Sequence, residues 1–474
     1  MSLRLCVDTL LACLERAQAR SGAQGPVLAS CSQPWQALDP QVLFAANRDH
    51  LQPACLWQQP AHDDCRVGLG QAFELNAIDA ASWSSLQARW QAVAATSEVQ
   101  GEHRPTLIGG FAFDRHKART RLWRDFPDAA LTLPRFELRQ CEGRTTLVIN
   151  AMVNAHSDCR HLAWSLAREW TQALARPAPR ALPARTPYQR QPLPHLWTQD
   201  VRNAVHTLRH GEPRLDKVVL ARSHAVHVRE PVQHILARLG QRQPNAYLFA
   251  FARGRSCFLG ATPERLLRVN QRTLQTMALA GTAPRGSDSE QDVHLGAQLL
   301  ASLKDNAEHQ MVVANLRENL APCCTALDIA SRAQLHRLPN VQHLLTPVQG
   351  ELKPDIGLLE VLERLHPTPA VGGLPRRQAV EYIRQCEQLD RGWYAGPIGW
   401  IDDKGDGEFA VALRCALLNG DQATLFAGCG LVSGSDPDSE YRESVLKMRT
   451  MQEALTPGVP LNGAIGSASV PRSG

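Results

Sequence analysis

Apolar residues along the chain follow two periods, and each period predicts a type of element. Short β-rich segments bounded by Gly, Pro or polar residues, such as 217–228, 247–252 and 273–281, are typical of strands. Longer segments with helical spacing occur near 198–211, 288–320, 374–388 and 436–455. Because the strands are numerous and the helices unevenly placed among them, the pattern favours an α+β fold over a strictly alternating parallel sheet.

The first half of the chain mixes the same two patterns. Helical spacing in 82–95 is accompanied by strand-like segments such as 105–114. The segment 135–153 is typical of a hairpin that turns at Glu142 and Gly143. We find no group of catalytic residue types in this half.

Proline and arginine replace the apolar periodicity between residues 175 and 195, which predicts a linker or a surface excursion. This segment ends a predicted N-terminal part of the fold, residues 1–195, and a second predicted region, the candidate catalytic region, covers residues 196–456. Residues 457–474 are rich in small residues and proline, and we expect a disordered tail there.

Composition and charge narrow the classes of function. The 474 residues are 44% hydrophobic and 20% charged, as in globular proteins, and Lys plus Arg (51) barely exceed Asp plus Glu (46). The positive charges are scattered and only 5% of residues are aromatic, so we expect no nucleic-acid partner. Without a secretory leader, a bilayer-spanning segment or a CxxC pair, the thirteen cysteines are expected to be reduced thiols of a cytoplasmic protein.

Charged residues occur where an apolar core would not place them. Lys217 opens a strand-like segment that also carries Arg222. Arg414 interrupts the apolar run 413–418, where a buried cation needs a carboxylate partner from the protein or from a substrate. Glu264 follows another strand, although an ordinary surface glutamate would look the same there.

Acidic residues on predicted helices form a second candidate group. Glu440 and Glu443 are three apart and share a helix face with Lys447, and Glu308 follows Lys304 by one turn on another helix. Carboxylates that converge from separate helices can hold Mg²⁺, which prefers hard oxygen ligands. Solvated ion pairs are the alternative, and spacing alone does not show convergence.

Two strands run into loops that contain glycine, at 281–282 and at 428–430. Such loops offer backbone N–H groups to an anion and let it approach closely. A tight turn that requires positive φ is the alternative explanation for each loop.

Taken in chain order, these segments resemble motifs of the chorismate-utilising enzymes, and among them the isochorismate synthases of salicylate pathways. Menaquinone-type enzymes are the near alternative. The resemblance covers roughly residues 198–455 and is carried by DKVVLAR, FLGATPERL, ALAGT, KDNAEH, LHPTPAVGG, GWYAGPIGW and FAGCGLVSGSDPDSEYRESVLK. It implies an α+β fold in which two large, mostly antiparallel sheets pack as a sandwich with helices outside.

The resemblance also implies a reaction, the addition of water at C2 of chorismate with loss of the C4 hydroxyl. Lys217 resembles the general base of the family and Glu264 its general acid. Glu308 and Glu440 resemble ligands of Mg²⁺, with Glu443 binding directly or through water. The positions that resemble substrate-binding residues are Gly281, Thr282, Tyr394, Arg414, Gly428, Gly430 and Lys447.

Several alternatives stay open at this point. Aminating relatives carry glutamine where Lys217 stands, so the lysine favours water as the nucleophile. Salicylate synthases, which go on to eliminate pyruvate, keep both Lys217 and Glu264. A catalytically silent homologue acting as a binding subunit would lack an acid, a base or a metal ligand. We expect chorismate as the partner, no membrane, and a monomer or weak dimer.

Overall fold

The computed structural model describes residues 5–22, 25–59, 61, 63–76, 82–180, 194–337 and 341–456. The described helices are α1 Val7–Arg20, α2 Pro40–Asn47, α3 Trp83–Thr96, α4 Cys159–Ala175, α5 Pro194–His210, α6 Val232–Arg242, α7 Ser289–Ala301, α8 Leu303–Leu320, α9 Leu358–Leu365, α10 Arg376–Cys386 and α11 Pro437–Leu455. Among them, none combines the length and the apolar character that crossing a bilayer requires.

The strands are of very different lengths. They are β1 Val27–Pro34, β2 Ala54–Gln59, β3 Asp64–Asn76, β4 Glu98–Gln100, β5 Thr106–Phe111, β6 Ala129–Cys141, β7 Arg144–Val153, β8 Lys217–His227, β9 Tyr247–Arg253, β10 Ser256–Thr262, β11 Arg265–Asn270, β12 Thr273–Pro284, β13 Cys324–Ile329, β14 Gln334–Arg337, β15 Val341–Leu352, β16 Gly373–Leu374, β17 Pro397–Asp402, β18 Gly407–Val411, β19 Cys415–Asn419 and β20 Gln422–Leu431.

Strand β6 belongs to two sheets at once. From β6 the first sheet continues through β3, β2, β9, β10, β19, β20 and β8 to β16, and β7, β1 and β4 extend it on the other side. The second sheet runs from β6 through β5, β17, β18, β11 and β12 to β15, whose far edge carries β13 and β14. Only the β1–β4 pair is parallel among these ladders.

One aromatic core lies between the two sheets, and a second lies between the first sheet and its helices. In the first core the Trp123 ring contacts Phe258 from β10 and Phe426 from β20, with ring centroids 5.1 and 5.7 Å away. The second core packs the other face of that sheet against α1, α2, α4, α6 and α11. The sandwich therefore leaves the strand ends and their loops free to build a site.

Several local predictions can be compared with these elements. The hairpin turn at Glu142 and Gly143 is confirmed, and both residues have the positive φ of a type I′ turn (52° and 71°). The helix expected over 288–320 is instead two helices, because Ser302 has extended backbone angles and its hydroxyl accepts from the backbone N–H of Asp305, which caps α8.

The predicted linker and tail fall largely outside this description. Helix α4 ends at Ala175, residues 176–180 are irregular and α5 begins at Pro194. Residues 181–193 and 457–474 lie outside the described residues. Strands before residue 195 pair with strands after it, β2 with β9 and β5 with β17, so both parts of the chain share the same sheets.

The cysteines are all free thiols, and most of them are buried. Cys323 and Cys324 lie in the core after the end of α8.

Candidate active site

The site residues meet where strands of the two sheets end and the helices α8 and α11 approach. A cavity of about 210 Å³ opens there, and the predicted residues among its lining are Thr282, Arg414, Glu443 and Lys447. The other predicted residues do not line the cavity, and they are connected to its lining by hydrogen bonds or by electrostatic interactions.

Lys217 is the first residue of β8 and is only 5% exposed. Its main chain is held by β16, since Leu374 pairs with Lys217 and Gly373 with Val218. Its side chain lies over Gly430, where an added Cβ would be 2.9 Å from Lys217 Cε. The ammonium donates to Glu308 Oε1 at 2.6 Å, so the charge of this buried lysine is balanced by a carboxylate from α8.

Glu264 lies in the short connection between β10 and β11. Burial raises the pKa of its carboxyl from 4.5 to about 7, while the positive charges of Lys217, Lys447 and Arg414 act to lower it. A carboxylic acid with this pKa is still partly protonated at neutral pH, so Glu264 can donate a proton.

Glu440 and Glu443 converge near the start of α11. Oxygen atoms of both carboxylates and the sulfur of Cys429 lie within 4.8 Å of one another. Burial raises the pKa of Glu440, and the nearby charge of Glu443 acts in the same direction. Glu440 Oε2 is buried and has no hydrogen-bond partner among the described residues. A cation would satisfy this orphaned oxygen.

The donor set fits a hard divalent cation better than a thiolate-binding metal. Cys429 donates to the Glu440 carbonyl at 3.2 Å, and burial raises the pKa of its thiol to about 12, so it stays protonated. Two carboxylates with free oxygens suit Mg²⁺. Glu308, the third predicted ligand, is not in this group, because its Oε1 contacts Lys217.

Lys447 links the acidic group to the rest of the site. Its ammonium pairs with Glu443 at 2.6 Å and donates to the Gly428 carbonyl at 3.0 Å. The same charge opposes the rise that burial causes in the pKa values of Glu264 and Glu440. Lys447 therefore lies between the candidate acid and the candidate metal ligands.

Gly281 produces a bulge in β12. Its φ is +76°, and the pairing with β15 shifts register between Ala280 and Thr282. The Thr282 hydroxyl lies 2.9 Å from His343 Nδ1, which is also 3.3 Å from the Gly281 carbonyl. The bulge thus directs Thr282 to the cavity wall.

Arg414 supplies a buried cation that forms no ion pair with the described side chains. Its φ is +48°, a conformation that residues other than glycine rarely adopt. The guanidinium lines the cavity and makes no ion pair with any side chain in the described part of the chain. Tyr394 lies nearby, and an added Cβ at Gly428 would be 3.1 Å from its hydroxyl. An anionic ligand is the natural partner for Arg414.

Sequence reasoning does not single out His343 or Cys429. His343 lines the cavity, and burial lowers its pKa to about 4, so it is neutral. It lies on an alternating strand where nothing in the sequence distinguishes it from any polar residue. Cys429 stands between two predicted glycines on β20, and strand alternation places its side chain on the opposite face of the strand from Gly428 and Gly430.

Comparisons with known proteins show similarity over most of the chain. The model of a family described as chorismate binding enzyme matches residues 12–456. A salicylate biosynthesis isochorismate synthase of Pseudomonas aeruginosa is 40% identical over 461 residues, which are 96% of each chain. The isochorismate synthase MenF of Bacillus subtilis is 32% identical over 90% of this chain and 93% of its own. The structure of the menaquinone-specific isochorismate synthase MenF of Escherichia coli aligns with a TM-score of 0.76 and 30% identity, over 94% of this chain and 100% of that one.

Proposed function

This chain belongs to the family of chorismate-binding enzymes, and we propose that it is an isochorismate synthase that works with Mg²⁺. The observation that carries the proposal is that Glu264, whose pKa is about 7, lies close enough to Lys217 for the charge of the lysine to affect that pKa. An acid and a base close together are what the exchange of one hydroxyl group for another requires.

In the proposed reaction one water molecule enters and another leaves. Lys217 accepts a proton from the water whose oxygen forms a bond to C2 of chorismate. The ring double bonds shift, and the bond from C4 to its hydroxyl breaks as Glu264 donates a proton to that oxygen. C2 gains a bond to oxygen and C4 loses one, so the ring undergoes no net oxidation or reduction, and no covalent bond to the protein forms.

The Lys217–Glu308 ion pair has a consequence for this reaction. The Lys217 nitrogen donates to Glu308 at 2.6 Å, so in this arrangement it is directed at the carboxylate and not at a substrate water. Lys217 therefore acts as the base only when its pairing with Glu308 is broken.

We propose that Glu440 and Glu443 would hold the metal, and that Glu308 of α8 would join them only once its ion pair with Lys217 is broken. Bound Mg²⁺ would supply positive charge that offsets these carboxylates and the ring carboxylate of the substrate. Arg414 and Lys447 are the side chains that can bind and orient further anionic groups of chorismate. The loops predicted at 281–282 and 428–430 are instead parts of the strands β12 and β20, and Gly430 pairs with Val219 of β8.

The test is to incubate the purified protein with chorismate and MgCl₂ and to separate the products by chromatography. Isochorismate without pyruvate is the expected result. Salicylate accompanied by pyruvate would make the protein a salicylate synthase instead. Unconsumed chorismate, from a protein that still binds it, would indicate a silent binding subunit.

A further inference from the structure

Arg222 is a buried cation that the proposed mechanism does not use. It lies on β8, the strand that begins with Lys217, and is 9% exposed. No described carboxylate forms an ion pair with its guanidinium, and burial lowers its pKa. A buried charge without a counter-ion reduces stability unless other contacts compensate for it. The contacts of Arg222 therefore indicate what it does.

Arg222 holds one turn of α11. Its Nε donates to Ser444 Oγ at 2.7 Å, and its guanidinium carbon lies 4.6 Å from the centroid of the Tyr441 ring. Ser444 is fully buried, and its hydroxyl donates to the Tyr441 carbonyl at 2.7 Å. A hydrogen bond and a cation–π contact thus join the strand of Lys217 to residues 441–444.

This turn carries the candidate metal ligands. Glu440 precedes Tyr441, and Glu443 precedes Ser444. Oxygen atoms of the two carboxylates lie within 4.8 Å of each other, so their like charges repel. Lys447 offsets part of this repulsion by pairing with Glu443 at 2.6 Å. Contacts that fix the position of this turn also help to keep the two carboxylates together.

Arg222 contacts the 441–444 turn through uncharged groups only. It contacts the face of a ring and a hydroxyl, whereas Lys447 pairs directly with Glu443 at 2.6 Å. An arginine bound to the carboxylates would compete with a cation for their oxygens. Arg222 instead fastens the backbone that carries them and leaves the carboxylates free.

We propose that Arg222 is a positioning residue, which holds the 441–444 turn so that Glu440 and Glu443 converge on a divalent cation. The inference rests on the proposed function, because it takes these two residues as the ligands of Mg²⁺.

The test is isothermal titration of the full-length protein with MgCl₂ in the absence of chorismate. Arg222→Met should weaken Mg²⁺ binding by about tenfold or more, as expected when a residue that orients metal ligands is removed. Most of kcat should return at saturating Mg²⁺. Arg222→Lys, which keeps the charge near the ring, should rescue part of the affinity. Ser444→Ala should weaken binding by less than Arg222→Met.

Arg238→Met is the matched control. Arg238 Nε donates to the Ala454 carbonyl at 3.0 Å, at the other end of α11, and its guanidinium pairs with Glu230 at 3.2 Å. Its loss should lower the melting temperature, measured by scanning calorimetry, and leave the Mg²⁺ binding constant unchanged.

The inference is overturned if Arg222→Met and Ser444→Ala bind Mg²⁺ as the wild type does and only melt earlier, as Arg238→Met should. If Arg222→Met does not fold, the binding constant of Ser444→Ala decides. A wild type that binds no Mg²⁺ but turns over chorismate in EDTA would refute the metal assignment itself, and the role of Arg222 with it. That outcome is distinct from the first, in which wild-type Mg²⁺ binding is intact.

Discussion

Glu264 shows how surroundings decide what one residue can do. In the sequence it follows a strand and looks like any surface glutamate. In the fold, burial raises its pKa to about 7 although three cations oppose the shift. The sequence could supply the residue and its resemblance to a known acid, but not this pKa, because the buried groups around it come from distant segments.

We expect Glu264→Gln to lower kcat by about 10²- to 10⁴-fold, because the amide keeps the size of the side chain and lacks the transferable proton. Binding of chorismate, measured separately, should change little. Glu351→Gln, an exposed substitution on β15, is the control. Near-normal turnover would mean that Glu264 is not the acid.

The pH dependence follows from the same pKa. Glu264 is protonated below about pH 7, so kcat/KM should fall as the pH rises through that value. The raised pKa also means that the folded protein binds this proton more tightly than the unfolded chain does. The stability it contributes is present below pH 4.5 and is lost as the pH rises through about 7. In Glu264→Gln both effects should be absent from urea unfolding and activity profiles.

Lys217→Gln should lower the hydration rate by about 10²-fold or more, because no amine remains to take a proton from water. It also leaves Glu308 without its ion-pair partner, so the melting temperature must be measured beside the rate. Lys404→Gln changes an exposed lysine in the turn after β17 and serves as the control. A stable Lys217→Gln protein with parental turnover would place the base elsewhere.

At the scale of elements, the period of the hydrophobic positions predicts whether a segment is a helix or a strand better than it predicts where that element ends. The two-residue period correctly identified β8, β9 and β12, and the helical period identified α5, α10 and α11. The division of 288–320 at Ser302 depends on a single side-chain cap, which the apolar spacing does not reveal. The sequence likewise does not predict the bulge at Gly281, because glycine at that position is compatible with a tight turn and with an anion-binding loop.

We expect Gly281→Ala to reduce stability and raise KM for chorismate. Forcing alanine to positive φ costs about 1–2 kcal/mol, and the new Cβ would lie 3.2 Å from Asp305 Cβ on α8. Gly143→Ala is the matched control, because Gly143 also has positive φ (71°) but nothing lies within 4 Å of the added atom. Urea unfolding and steady-state kinetics of both variants give the comparison. An unchanged KM in Gly281→Ala would separate the bulge from substrate binding.

For the whole molecule, the expected α+β architecture with two large, mostly antiparallel sheets is confirmed, as is the resemblance to chorismate-utilising enzymes. Motifs in chain order were sufficient for both. The sequence does not predict that Glu440 and Glu443 converge, because their spacing indicates a shared helix face but not the distance between their carboxylate oxygens. The pairing of Glu308 with Lys217 was not foreseen, because the two residues lie on different elements whose approach the sequence does not reveal.

We expect EDTA to abolish turnover and added Mg²⁺ to restore it, because Glu440 and Glu443 concentrate negative charge where an anionic substrate must bind. The circular dichroism spectrum should be the same with and without EDTA, since the cores between the sheets and under the helices contain no metal ligand. Full activity after chelation would show that the reaction does not use the cation.

Because β6 belongs to both sheets, the second sheet can form all its strand pairs only late in synthesis. β5 and β6 leave the ribosome early, yet β5 pairs with β17, whose residue 398 lies opposite residue 110. The second sheet therefore has an open hydrogen-bonding edge until most of the chain has been made. Such unpaired edges favour association between nascent chains, and pairing with β17 removes this one only when the C-terminal part of the chain arrives.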